Sequence, residues 1–488
     1  MRASKSFRQI DRSYKSAIEL LNSRRRSQRP DANLKAKGDS IQHATNTPPT
    51  PGLKGTPSIV GMEDWLLKIG HSPTDIDKLN IIHVAGTKGK GSTCAFTESF
   101  LRTFGERTGF PKRTGLYTSP HLMFPEERIR INFQPLARDL FAKYFFEVWD
   151  AISSDSRVNT NIPRTLQLFA LMAFHVFIRE GVEAAIIETH HGGEYDATNF
   201  IQNPVVTAIT TLGMDHVKQL GPTLGNIAWH KAGIMKRGAP LISAPQESAA
   251  VDVIRARASE KGVDVYFADS SPELPSEAVQ LRLDVQRTNS SVALAAARRF
   301  LEERAPKNTL PLAASDIQGA IDQFSWPGRF QYLRQGRHRW YLDGAHNEMS
   351  VDKAAEWYIQ GSSGSMPSTR VLIFSQASEA RNATEVLDQL ATALRDVAID
   401  HVIFTTYSPD QDLDIGSAPV SNPWHGDKSQ AFEEIWKKIH GTTKVHYEAD
   451  IPTALDVARQ IGAKSEEVHT LITGSQYLVG AALYTLQK

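Results

Sequence analysis

The stretch Ile81-Ile82-His83-Val84-Ala85-Gly86-Thr87-Lys88-Gly89-Lys90-Gly91-Ser92-Thr93 decides the fold. A short apolar run predicts a buried strand. A glycine-rich turn follows, then a helix from about Ser92 to Phe104. Backbone N–H groups in such a turn converge on phosphate oxygens, and the helix N-terminus adds positive potential. Gly86, Thr87, Gly89, Gly91 and Ser92 therefore form a candidate phosphate cradle, and Lys90 would neutralise the outer phosphates. The usual phosphate loop opens on a glycine and places a hydroxyl directly after its lysine. Here Val84 holds the opening position, Gly91 follows the lysine, and the hydroxyl moves on to Ser92. ATP is the expected ligand.

Outward from this loop the pattern is α/β. Leu166–Arg179 reads as a buried helix, and Ala184–Ile187 and Val205–Thr211 as buried strands. Strand, helix and strand at this spacing imply a parallel sheet covered by helices. A second α/β series begins after about residue 330, with strands expected at Trp340–Leu342, Val371–Phe374, His401–Thr405 and Thr470–Thr473. The expected division is a basic, partly irregular region at 1–58, an ATP-binding domain at 59–326 and a smaller Rossmann-like domain at 327–488. Pro327-Gly328 marks the joint.

A chain of 488 residues supports two or three domains. Its 55 basic against 54 acidic residues argue against a nucleic-acid partner. The single Cys94 excludes an internal disulfide and any multi-cysteine zinc site. No stretch of about 20 apolar residues exists, so no membrane span is expected. Charge is uneven: residues 1–40 hold 11 basic and 4 acidic residues. Such a start is compatible with a mitochondrial presequence, although a solvated basic helix end is the plainer reading. The cytoplasm is the expected location. Residues 44–57, rich in proline and glycine, read as a linker.

The shifted loop resembles that of the Mur-ligase-like amide synthases. Further blocks narrow the resemblance to the folylpolyglutamate synthases, most closely the fungal form. They are Leu116–Leu122 with Glu127–Asn132, Glu188 with Gly192-Gly193 and Asp196–Asn199, Leu212–His216, Ile227–Ile234, Gln286–Ser290, Trp326–Arg329 and Asp343–Asn347. The resemblance implies an ATP-dependent ligase of Mur-ligase architecture, with its active site between two domains. A carboxylate is activated as an acyl phosphate and then attacked by an amine. The implied substrates are a tetrahydrofolyl-(poly)glutamate and L-glutamate, and the implied state is a monomer.

The resemblance also implies roles. Ser119, Glu188 and His216 would hold Mg2+, with K+ as a further cation. Lys231 corresponds to a lysine carried as a carbamate. Gln286 and Asn289 would lie near base and ribose, and Arg329 near phosphate. Asp343 and His346 would serve nucleotide binding and closure, and Lys90, Lys231 and His346 form the implied catalytic set.

Several positions depart from the family pattern. His190 stands where a glycine is usual, so strain at a positive φ is expected there. His190 and His191 together also suit a transition metal, although packing or substrate contact is the plainer reading. Glu126 replaces an arginine, Phe133 a glycine and Val285 a histidine. Ser375–Ala380 lacks a cation expected on the glutamate side. These changes leave three readings open: a folylpolyglutamate synthase, a related ligase for another carboxylate or amino acid, or a non-catalytic nucleotide-binding protein.

Overall fold

A computed structural model describes residues 11–25, 57–154, 162–363, 368–376, 382–407 and 427–488. Residues 1–10, most of the expected linker at 44–57, and 377–380 of the expected glutamate-side segment lie outside the described residues. The chain divides into two compact units. One runs to His121 and continues over Pro125–Phe324; the other comprises Leu122–Phe124 and Ser325–Lys488.

The first unit is built on strands β1 (Ile81–Ala85), β2 (Thr114–Tyr117), β3 (Ile129–Ile131), β4 (Gln134–Pro135), β5 (Ala184–Glu188), β6 (Val206–Ile209), β7 (Leu241–Ser243) and β8 (Val265–Phe267). Their order in the sheet is β4-β3-β2-β5-β1-β6-β7-β8. The strands from β2 across to β8 are parallel, and β3 and β4 add an antiparallel edge. Every residue of β1 and β5 is buried. Parallel strands covered on both faces read as continuous apolar runs, which is why these two were legible. β2 and β7 are short and carry Thr, Gly or Ser, so no apolar run announces them.

The helix after β1 begins at Lys90, inside the expected turn, and runs past Phe104 to Thr108. Gly89 precedes it at φ 85° and Gly109 ends it at φ 84°, the left-handed conformation that glycine adopts without a Cβ penalty. The buried helix is Thr165–Arg179, with Gln167 to Phe177 all inaccessible. An N-terminal helix, Tyr14–Ser23, buries Ala17, Ile18 and Leu21 in the same core as Phe141, Phe145 and Leu168. Part of the basic, partly irregular region expected at 1–58 is therefore a helix packed in this unit.

The second unit holds β9 (Gln331–Gln335), β10 (His338–Leu342), β11 (Thr369–Phe374), β12 (His401–Thr405), β13 (Lys444–Glu448) and β14 (Val468–Thr473). Their order is β13-β12-β11-β14-β10-β9, parallel except for the β9–β10 hairpin. This is the expected Rossmann-like layer, with an unforeseen hairpin strand at its edge.

Candidate active site

Strand order places the chemistry. β1 lies between β5 and β6, while β2 lies beyond β5. The chain thus runs to opposite sides of β1, and such a reversal leaves a crevice at the carboxyl ends of the strands. Gly86 follows β1, Ser119 follows β2, Glu188 ends β5 and Thr210 follows β6.

The loop is held by its neighbours rather than by itself. The N–H groups of Thr87 and Lys88 both donate to the Thr211 carbonyl at 3.1 Å. The Thr210 hydroxyl donates to the Lys88 carbonyl at 2.6 Å. Thr87 Oγ1 bonds Gly213 through both its backbone N–H and its carbonyl, each at 3.2 Å. Glycine is required where these partners approach. A Cβ on Gly86 would fall 1.8 Å from Thr210 Oγ1, and one on Gly89 2.1 Å from Asn289 Oδ1. Asn289 in turn donates to Gln286 Oε1 at 3.2 Å, so the Gln286–Asn289 pair borders the loop.

Three candidate residues gather beside the loop. Lys90 Nζ lies 3.9 Å from Glu188 Oε1. Glu188, which is 3% exposed, accepts the Ser119 backbone N–H at 2.9 Å. Lys231, also 3% exposed, donates from Nζ to the Gly86 carbonyl at 2.6 Å. Burial first, then the nearby Lys90 charge, pushes the Lys231 amine well below the usual lysine range. His216 precedes the short helix Val217–Leu220 at φ 53°, and its backbone N–H donates to Asp215 Oδ1 at 2.9 Å. Its ring faces that of His191, with centroids 4.6 Å apart.

The oxygen donors Glu188 and Ser119 suit magnesium, which keeps few protein ligands and shares its shell with phosphates and water, whereas an imidazole such as that of His216 is a less usual ligand for it. Among the described residues, no three His, Cys, Asp or Glu converge to hold an ion unaided. The His190–His191 pair is not arranged as a transition-metal site. His190 Nε2 lies 2.6 Å from the Tyr117 hydroxyl, and its Nδ1 faces Asp196 at 3.5 Å. Nor does His190 have a positive φ; that strain falls on Gly192, at φ 68°. Phe133 does adopt φ 69°, next to Asn132 at φ 46°, in the two-residue turn between β3 and β4. Such turns favour glycine, which explains why phenylalanine is unusual there.

The charge reversal at Glu126 has a local explanation. Its carboxylate accepts Arg138 Nε at 2.9 Å and the Tyr14 hydroxyl, and the residue is 7% exposed. It ties the N-terminal helix to the helix Arg138–Ser153. Cys94 is fully buried, and burial followed by the Glu188 charge raises its thiol well above the usual range. It is a packing residue.

In the second unit Asp343 lies just past β10. Its two oxygens accept the Phe330 and Ala345 N–H groups, each at 2.9 Å. Burial raises its carboxyl above the usual range, although Arg329 opposes the shift. Arg329 donates to Gln476 Oε1 at 3.0 Å. A Cβ on Gly344 would come within 2.2 Å of the Arg329 guanidinium. His346 Nδ1 lies 2.8 Å from the Gly344 carbonyl, so in the neutral ring Nδ1 carries the hydrogen. Its carbonyl accepts Gln376 Nε2 at 3.1 Å. The structure thus brings Arg329, Asp343 and His346 together around one loop.

Sequence reasoning did not single out Thr210, Thr211, Asp215 or Tyr117. The signal for the first two was a pair of hydroxyls closing an apolar strand. Asp215 pairs with Lys88 at 3.4 Å, and nothing in the local pattern pointed to that partner.

Comparison with known proteins bears on the family and the fold. Residues 328–485 match the family model described as dihydrofolate synthetase, C-terminal domain. The chain is 37% identical to the folylpolyglutamate synthase of Neurospora crassa, over 98% of this chain and 92% of that protein. It is 36% identical to a probable folylpolyglutamate synthase of Schizosaccharomyces pombe, over 88% of each. Its fold matches that of the Mycobacterium tuberculosis folylpolyglutamate synthase complexed with ADP. That match has a TM-score of 0.73 and 22% identity, and covers 98% of this chain and 99% of that one. With relatives this similar along nearly its whole length, the chain belongs to the folylpolyglutamate synthase family.

Proposed function

We propose that this protein uses ATP to join L-glutamate to tetrahydrofolyl-(poly)glutamate through an acyl phosphate. One observation carries the reading. The loop cation Lys90, first residue of the helix after β1, lies 3.9 Å from the buried anion Glu188 at the end of the adjacent parallel strand β5. A phosphate-binding charge and a metal-binding charge thus share one crevice.

A carboxylate is a poor electrophile, so phosphorylation precedes amide formation. Phosphoryl transfer demands charge neutralisation and in-line positioning. The loop N–H groups from Gly89 onward, at the start of the helix, and Lys90 bind and orient the phosphates, while those of Thr87 and Lys88 are taken by the Thr211 carbonyl. Ser119, Glu188 and His216 would hold Mg2+, which when bound would supply positive charge against the charge developing on the phosphates. Gln286 and Asn289 border the loop on the nucleoside side. Arg329 and His346 serve phosphate and acyl phosphate, while Asp343 fixes the loop that carries them. Burial and the Lys90 charge hold the Lys231 amine well below the usual lysine range, which favours the neutral amine that carbamate formation with carbon dioxide requires. The Glu126 network is structural and gives no ground for a different substrate.

The test is direct. Purified protein supplied with MgATP, a reduced folate and L-glutamate should release phosphate and yield folate heavier by one glutamate residue. Neither should occur when the folate or the glutamate is left out. Lys90→Ala should abolish both. Folate that stays unextended, or full activity in Lys90→Ala, would overturn the reading.

A further inference from the structure

Two rungs join the ends of β2 and β5. On the first, the Ser119 N–H donates to Glu188 Oε2 at 2.9 Å. On the second, two residues from each of these, the Tyr117 hydroxyl meets His190 Nε2 at 2.6 Å. Tyr117 is fully buried and His190 is 9% exposed. The two rings pack edge to face, with centroids 5.5 Å apart.

Hydrogen-bond capacity fixes the roles. An ionised carboxylate only accepts. His190 Nδ1 faces Asp196 Oδ1 at 3.5 Å, so Nδ1 carries the hydrogen and Nε2 accepts from Tyr117. Asp196 is anchored independently. It accepts the N–H groups of His190 at 3.0 Å and His191 at 2.8 Å, and both N–H and hydroxyl of Thr198 at 3.0 and 2.8 Å. The Thr198 hydroxyl also meets His83 Nε2 at 2.8 Å, on β1. A buried chain therefore runs Tyr117, His190, Asp196, Thr198, His83, directly behind the Ser119–Glu188 rung.

A glycine at position 190 would leave Tyr117 without this partner. We propose that His190 is a positioning residue: through Tyr117 and Asp196 it fixes the spacing of the β2 and β5 ends, and with it the aim of Ser119 and Glu188 at the metal ion. The inference rests on the magnesium roles given above. Removing a group that orients a metal ligand typically costs about 10–100-fold in metal affinity.

The experiment measures Mn2+ binding by electron paramagnetic resonance in the presence of a non-hydrolysable ATP analogue. Thermal unfolding and steady-state kinetics are followed on the same variants. Tyr117→Phe and His190→Ala should each weaken Mn2+ binding by about tenfold or more. The KM for magnesium nucleotide should rise while the KM for glutamate stays unchanged. His190→Gln, which can still accept from Tyr117 and donate to Asp196, should remain within about threefold of the parent protein. Binding within about twofold of the parent in both Tyr117→Phe and His190→Ala would overturn the inference. So would a fall in unfolding temperature with equal loss in every kinetic constant. If the parent protein itself binds no Mn2+ with the analogue, the magnesium assignment fails first and this inference with it.

Discussion

Lys231 Nζ donates to the Gly86 carbonyl across 2.6 Å, joining a helix 145 positions along the chain to the first residue after β1. The lysine is buried, and its amine is displaced well below 10.5 by desolvation first and by Lys90 next. An amine with a lowered folded-state pKa binds fewer protons folded than unfolded between the two values. Stability therefore rises with pH across that window and levels off above the unfolded value. Thermal unfolding from pH 7 to 10 should show the parent protein gaining on Lys231→Met as pH rises. The variant should also lose ligase activity.

Gly89 and Asn289 are in closer apposition than any side chain allows, since a Cβ would lie 2.1 Å from Asn289 Oδ1 at φ 85°. Gly89→Ala should cost at least about 1–2 kcal/mol from the left-handed backbone alone. It should also displace the Gln286–Asn289 pair and weaken nucleotide binding. Calorimetric titration with ATP, alongside denaturant unfolding, checks both effects. Asn289→Ala should weaken binding with a smaller loss of stability.

Glu126 belongs to a structural tie rather than to substrate choice. Glu126→Arg would set a cation against Arg138, whose side chain is 43% exposed. Because that guanidinium reaches water, the expected loss is about 1–3 kcal/mol, short of the cost of breaking a fully buried pair. Denaturant unfolding measures the loss, and the ratio of kcat/KM among alternative acids should not change. A switch in preferred acid would contradict this assignment.

Part of the protein's acid sensitivity should trace to a buried imidazole pair, beside His83, His121, His191 and His230, whose imidazoles desolvation also lowers. His71 Nε2 lies 2.7 Å from His175 Nδ1, and His175 Nε2 lies 2.7 Å from Glu147. Burial is the leading cause lowering both imidazoles below 6.5, and it outweighs Glu147, which raises His175. The unfolded chain thus takes up protons before the folded one as pH falls. Stability from these groups is full above about 6.5 and declines below it. Unfolding temperatures at pH 7.5 and 5.5 should differ more in the parent protein than in His175→Gln.

Much of this protein was legible along the chain. The apolar run at 81–85 and the glycines after it determined the strand, the turn and the helix, because a both-faces-buried strand and a phosphate turn have local signatures. The second α/β series was legible for the same reason, while strands such as β2 and β7 were hidden by short length and mixed polarity. Only the tertiary structure decided what each polar residue does. Glu126 looked like a substrate-side charge until Arg138 and Tyr14 were found on it. His190 looked like a strained intrusion, yet its backbone is unstrained and its ring bonds Tyr117. Backbone conformation and strand pattern depend on near neighbours in sequence. The partner of a buried charge or imidazole depends on which strand ends the sheet order brings together, and no local pattern carries that information.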